Sequence, residues 1–190
     1  MSQARIAPMT PAEFLTWEAG QEFKWEFDGF EPQAMAGVTN AHAAIQQNLA
    51  LALGTRLRGQ SYYVRGSDFK VQTGLGCRYP DAHVGCTTLP NAATIATEPV
   101  VIFEIISEST EHTDRFDKLR EYRAIPSVRR YVILEQDQAL ATTYTRTEAG
   151  WVVDDLGLAG ILAMPEIGIE VPMAEFYEGL AFSDPARPAS

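Results

Sequence analysis

Val100-Val101-Ile102-Phe103-Glu104-Ile105-Ile106 is the stretch on which the fold turns. Six of these seven side chains are apolar and most are β-branched. A short run of this kind reads as a strand buried on both faces, hence as the centre of a layered sheet. Glu104 interrupts it near its end. An isolated ionised carboxylate in such a strand costs many kcal/mol unless it is paired, protonated or bound to a cation. The partner that compensates Glu104 is therefore the route to function.

Working outward, Ser107 to Thr113 is rich in capping residues, and Asp114 to Arg123 reads as a helix with Phe116, Leu119 and Tyr122 facing inward. Pro126 precedes another strand, Arg130 to Leu134. Ala141 to Thr145 and Trp151 to Asp154 form a hairpin turning at Ala149-Gly150. Met173 to Glu178 reads as a last helix, entered through Pro172.

On the N-terminal side, a strand from Asp81 to Cys86 follows Pro80, and a loop with Pro90 and Asn91 joins it to the Glu104 strand. Before it come strands at Tyr62 to Val64 and Asp68 to Gln72. Ile45, Leu49, Ala52, Leu53 and Leu57 give a helix from Ala41 to about Arg58 one apolar face, with Thr39 or Asn40 as cap and Gly59 as stop. Asp28-Gly29 sits between Phe23 to Phe27 and Glu31 to Ala36, a hairpin signal. Thr10-Pro11-Ala12-Glu13 starts a short helix running to about Glu18. The order predicts an α/β (α+β) fold with a mixed central sheet flanked by helices, an N-terminal hairpin and a C-terminal β extension. We expect one domain over residues 1–182 and a polar, Pro-rich tail over 183–190.

Bulk properties narrow the function. The chain has 190 residues, 46% hydrophobic and 21% charged. No apolar stretch has the length of a spanning helix, and the N-terminus lacks a signal-peptide core, so the expectation is a soluble cytoplasmic protein without a membrane partner. Two cysteines, Cys77 and Cys86, rule out a disulfide framework. With His83 they suggest zinc, but strand alternation sends Cys86 and His83 to opposite faces, and a buried, inert Cys86 is the expectation. The net charge of −10 and a pI near 4.7 disfavour broad non-specific nucleic-acid binding. They leave room for a nuclease, because a divalent cation neutralises a carboxylate-lined cleft locally.

Asp81 begins one central strand and Glu104 lies late in the next. If the two strands are neighbours, both carboxylates converge at one end of the sheet, the usual minimum for Mg²⁺ or Mn²⁺, and a carbonyl near Ile105 can add a ligand. Lys118, on the following helix, shares a face with Asp114 and with Tyr122.

Taken in order, Pro80-Asp81, Phe103-Glu104-Ile105-Ile106-Ser107-Glu108-Ser109-Thr110, Asp114-Arg115-Phe116-Asp117-Lys118-Leu119-Arg120-Glu121-Tyr122 and Ile125-Pro126-Ser127-Val128 resemble the Uma2 family, restriction-endonuclease-like proteins of the PD-(D/E)XK superfamily. The likeness extends to Trp25-Glu26-Phe27-Asp28-Gly29, Met35 and His42, and spans about Met9 to Phe182. The resemblance implies a metal-dependent phosphodiesterase fold with Asp81 and Glu104 as ligands, and Glu26 and His42 near the cleft. The superfamily's lysine stands two residues after the second acid, where this chain has Ile106, so the resemblance points to Lys118 as its replacement. Arg130 also departs from the family, whose members usually carry an acid before the tyrosine matching Tyr131.

Plainer readings stand beside these. Glu104 can be a buried acid satisfied by Arg, Tyr or backbone donors. Asp81 can cap a turn. Lys118 can form an exposed pair with Asp114 or Glu121, and Asp114 can serve a helix N-terminus or orient Lys118. Glu26 can face solvent, and His42 can be a core or cap residue. Ser107, Ser109, Thr110 and His112 lack a nucleophile elbow. The expectation is a Mg²⁺- or Mn²⁺-dependent nuclease acting on nucleic acid, DNA before RNA. A homodimer is compatible with double-strand cleavage. The alternatives are a nuclease-fold binding or regulatory module without catalysis and, third, a paired-carboxylate glycosidase.

Overall fold

The computed structural model describes residues 9–35, 37–106 and 113–182. Thr10 starts α1 (Pro11–Glu18) with a reciprocal capping box: its hydroxyl accepts from Glu13 N, and the Glu13 carboxylate accepts from Thr10 N. β1 (Trp25–Phe27) and β2 (Pro32–Ala34) form the expected hairpin, shorter at both strands. Asp28 Oδ1 accepts from Phe30 N and Glu31 N, and Gly29 takes φ 96°, a conformation that favours glycine. α2 (Asn40–Leu57) is capped by the Thr39 hydroxyl, which accepts from His42 N.

Six strands follow: β3 (Tyr63–Gly66), β4 (Lys70–Gln72), β5 (Cys77–Arg78), β6 (Ala82–Gly85), β7 (Ile95–Ala96) and β8 (Pro99–Ile106). A π-helical segment, Thr113–Lys118, leads into α3 (Leu119–Ala124) and β9 (Arg130–Glu135). β10 (Leu140–Thr147) and β11 (Gly150–Gly157) make the second hairpin, β12 (Ile161–Met164) and β13 (Ile169–Pro172) a third, and α4 (Met173–Phe176) ends the described elements. Of the stretches read from sequence, Ala36, 107–112 and 183–190 lie outside the described residues.

The architecture is α+β. The main sheet has the order β11-β10-β9-β8-β6-β3, with β8 and β9 parallel and the other neighbours antiparallel. A second sheet runs β2-β1-β5-β4-β7, and β12-β13 pair separately. The Glu104 strand is thus central, as its apolar run requires. Val101, Phe103 and Ile105 face the cluster formed by Ile45, Leu49 and Leu53 of α2. Ile102 and Ile106 face the other way, with Tyr122 of α3 and Tyr131 of β9. No helix among the described residues is long and apolar enough to cross a membrane.

Two expectations are corrected. Cys86 is exposed, and it is Cys77 that is buried. The pairing of β6 with β8 shifts register between Val84 and Gly85, so the alternation that would have turned Cys86 inward is lost there. Among the described residues no thiol and imidazole group is arranged to hold a metal ion. Phe116, expected inside, is 62% exposed. It lies in the π-helical segment, where the period is wider than that of an α-helix, so its spacing to Leu119 and Tyr122 does not place it on their face.

Candidate functional site

β6 and β8 are neighbours, with Ala82 opposite Phe103, and this brings Asp81 beside Glu104 at one end of the sheet. Asp81 sits on a bend just before β6 and so escapes the strand's alternation. His83 packs against Tyr63 and Phe69 instead. The Asp81 carboxylate is held from two sides. His42 Nε2 (2.8 Å) and Gln46 Nε2 (3.1 Å) of α2 donate to Oδ1, and the backbone N–H of Ile105 donates to Oδ2 at 2.7 Å. His42 therefore reaches the site, although its position on the apolar face of α2 also suits a core residue.

Glu104 is 3% exposed. Its Oε1 accepts from Lys118 Nζ at 3.0 Å and from the Tyr122 hydroxyl at 2.8 Å. Burial pushes the Glu104 carboxyl well above its ordinary pKa; Lys118 opposes this, and Asp114, Asp81 and Glu26 reinforce it. Lys118 is not an exposed partner of its own helix. Its ammonium lies 3.0 Å from Glu104, 3.0 Å from Asp114 Oδ1 and 3.4 Å from Glu26 Oε1. Burial works against its charge, but Glu104, Glu26 and Asp114 outweigh it and hold the lysine protonated. Tyr131 donates to the Asp114 carbonyl at 3.0 Å and fixes the start of this segment. Ile106, where the superfamily's lysine would stand, is buried among Val71, Ile102 and Tyr122.

Glu26, from β1, faces the cleft rather than solvent. It accepts from Tyr79 N at 2.9 Å and pairs with Arg78, whose guanidinium also grips Glu121 through two bonds of 2.8 and 2.6 Å. Burial disfavours the Arg78 charge, but Glu121 and Glu26 more than offset it. Arg78, Tyr122, Tyr131, Glu121 and Gln46 were missed as site residues in sequence. Tyr122 carried a signal, four residues after Lys118 on the same helix face. Arg78 carried a weaker one, two residues before Pro80-Asp81. Arg130, the departure from the family pattern, is held by Glu166 through bonds of 2.6 and 3.3 Å.

Glu26, His42, Asp81, Glu104, Ile105, Asp114 and Lys118 all line one cleft of about 650 Å³. The lining carries four carboxylates (Glu26, Asp81, Glu104 and Asp114) and two lysines, Lys118 and Lys24, of which Lys24 is paired with Asp68; Arg78 and Glu121 pair with each other behind it. The excess is negative, the donors are oxygens, and Glu104 is driven toward protonation. That donor set fits a hard divalent cation such as Mg²⁺ or Mn²⁺. Among the described residues no three carboxylate, imidazole or thiol groups are arranged to enclose an ion by themselves. A site of two carboxylates completed by a carbonyl, water and substrate is the form Mg²⁺ favours.

A family model, Uma2, described as "Putative restriction endonuclease", matches residues 11–172. The chain is 29% identical over 183 residues to uncharacterized protein slr1290 of Synechocystis sp. (strain ATCC 27184 / PCC 6803 / Kazusa), covering 94% of this chain and 96% of that one. Uncharacterized protein sll1609 of the same organism is 28% identical over 133 residues, 67% of this chain and 75% of that one. Among solved structures, a "putative nuclease belonging to DUF820" from Anabaena variabilis ATCC 29413 superposes with a TM-score of 0.71 at 14% identity. It covers 90% of this chain and 98% of the other, a likeness of fold.

Proposed function

The chain belongs to the Uma2 family, and on that premise we propose that it is a nuclease dependent on Mg²⁺ or Mn²⁺, with Asp81 and Glu104 as the metal-holding carboxylates. The observation that carries this reading is the convergence of Asp81 from the bend before β6, Glu104 from β8 and Lys118 from the π-helical segment into one carboxylate-rich cleft. The Ile105 carbonyl is the third candidate ligand. When bound, the ion would activate water and stabilise charge on the scissile phosphate.

The chain's own residues do the rest. His42, Gln46 and Ile105 N fix the Asp81 carboxylate in place. Tyr122 and Lys118 orient Glu104 by converging on one of its oxygens. Lys118, kept cationic by three carboxylates, suits stabilisation of the developing phosphorane charge and orientation of the attacking water rather than removal of its proton. Asp114 and Glu26 position Lys118. The substrate is a nucleic acid, with DNA proposed ahead of RNA.

Purified protein with Mg²⁺ or Mn²⁺ is expected to cut at least one of single-stranded, double-stranded or structured DNA or RNA, and to lose this in Asp81→Asn. Failure on every substrate with both metals overturns the reading. A second reading, a nuclease-fold binding module, is favoured by one observation: both Asp81 oxygens and Glu104 Oε1 already accept hydrogen bonds. Titration calorimetry separates the two. Metal binding lost in Glu104→Ala supports the enzyme, and nucleic-acid binding without metal binding supports the module.

A further inference from the structure

The cleft poses a problem for the nuclease reading. A phosphate backbone approaching a cleft lined by four carboxylates and two lysines, both engaged by acids, on a chain of net charge −10, is repelled before any metal binds. A nuclease of this composition needs a positive anchor elsewhere. Most described cations are unavailable, because Lys24, Arg56, Lys70, Arg78, Arg115, Lys118, Arg120 and Arg130 are each taken by a carboxylate. Among the described residues, Arg58, Arg65, Arg123, Arg129 and Arg146 join no ion pair. Two of those five, Arg123 and Arg146, meet at one ring, and Arg129 adjoins Arg146.

That place is the end of the β10–β11 hairpin, beside the C-terminus of α3. Arg146 and Trp151 are direct cross-strand partners, so they share a face. The Arg146 guanidinium lies 4.6 Å from the centroid of the Trp151 ring system and that of Arg123 lies 5.4 Å from it. Arg146 is also fastened: its Nε donates to the Val128 carbonyl, and its Nη2 to those of Arg123 and Ile125. Burial, and then repulsion from Arg129 and Arg123, lower its pKa from the ordinary value. Arg129 and Arg146 together border a depression of about 640 Å³. The two acids on its wall are engaged, Glu98 by Thr87 and Glu166 by Arg130.

We infer that Arg123 and Arg146, both stacked on Trp151, and Arg129, whose backbone carbonyl accepts from Arg146 N, form an anchoring surface for the phosphate backbone of the nucleic acid that the cleft cuts. This rests on the nuclease reading for its substrate. Arginine suits the role, since its guanidinium matches phosphate geometry and stacks on an indole at the same time. The spacing is serviceable. Arg146 lies four residues further along the sheet than the level of Glu104 and two strands across, which is on the order of 15 Å, or roughly four to five base pairs of duplex. The π-helical segment and α3 join the two places, carrying Lys118 near one end and Arg123 near the other.

The test uses the full chain and fluorescently labelled single- and double-stranded oligonucleotides. Anisotropy titrations run from about 50 to 200 mM salt, the range over which counterions displaced from phosphates dominate affinity. Arg123→Ala/Arg129→Ala is expected to weaken binding by about tenfold or more and to flatten the salt slope by about 2, roughly 0.9 for each phosphate no longer neutralised. Arg123→Lys/Arg129→Lys is expected to keep most of the slope, which a merely structural role would not predict. In cleavage assays the alanine pair raises KM and leaves kcat unchanged. Equal affinity and slope in the alanine pair, with cleavage intact, overturns the anchor and leaves the nuclease reading standing. Arginine-dependent binding with no cleavage by the unaltered protein overturns the nuclease reading and leaves the anchor. Absence of binding to any oligonucleotide overturns the anchor.

Discussion

Strand β8 has two faces of unlike character. Toward α2 it presents Val101, Phe103 and Ile105 to a cluster that is apolar throughout. Toward α3 it presents Ile102, Glu104 and Ile106, and there a carboxylate, a lysine, two tyrosines and a second acid share buried space with aliphatic side chains. The first face holds the sheet together through area removed from water. The second sacrifices part of that to bring charges together where the dielectric is low, which strengthens each interaction and raises the cost of an unpaired one. Neighbouring residues of one strand thus have opposite relations to stability and function.

The sharpest way to break that contrast is to exchange the losses. Phe103→Ala should cost about 3–5 kcal/mol, as truncated buried aromatics do, and leave turnover per folded molecule near normal. Glu104→Gln should reduce cleavage by about a thousandfold, in line with loss of a group that positions transition-state charge, while leaving the melting temperature level or higher. A Glu104→Gln protein as unstable as Phe103→Ala would make Glu104 a structural residue.

Next in size is the placement of the lysine. Ile106→Lys buries an ammonium in an apolar cluster and should cost several kcal/mol. Lys118→Ala/Ile106→Lys should cut no better than Lys118→Ala, and recovered cleavage would sink the assignment of the cationic role to the helix.

A third test uses pH. His83 is fully buried, with no hydrogen-bond partner on either ring nitrogen. Burial, and then Arg65, lower its pKa to about 4. The unfolded chain takes up that proton near 6.5 and the folded one only near 4, so stability is complete above about 6.5 and falls as pH drops toward 4. The total is about 3 kcal/mol. Denaturant midpoints of His83→Leu should lack this part of the slope, and an identical pH profile would place His83 in water. The smallest effect belongs to Tyr122→Phe. It removes one hydrogen bond to a buried carboxylate and should cost about 1.5 kcal/mol. A cost near zero would mean that Lys118 alone satisfies Glu104.

Much of the strand contrast was legible in sequence. The apolar run marks the central strand, its odd carboxylate lies in the candidate cleft, and the helical spacing of Ile45, Leu49 and Leu53 marks the opposing layer. The features without a sequence signature are short or non-local. Cys77–Arg78 and Ile95–Ala96 are two-residue strands, too brief for any period to register. β12 and β13 alternate but pair only with each other. Arg78 reads as an ordinary surface cation until folding sets Glu26 and Glu121, 52 and 43 residues away, around it. Phe116 is exposed because its segment lacks the constant helical period that its spacing to Leu119 and Tyr122 implies.

That segment has a consequence in the currency of insertions and deletions. A π-turn is equivalent to one residue added to an α-helix. Deleting one residue between Thr113 and Lys118 would let the segment close into regular helix with Tyr122 and α3 still in register with the sheet, because the wide turn had absorbed the extra residue. Asp114 would then stand three residues before Lys118 instead of four, a spacing that still shares a helix face. The segment is therefore a place where the chain tolerates a change of one residue in length without moving the helix that follows it.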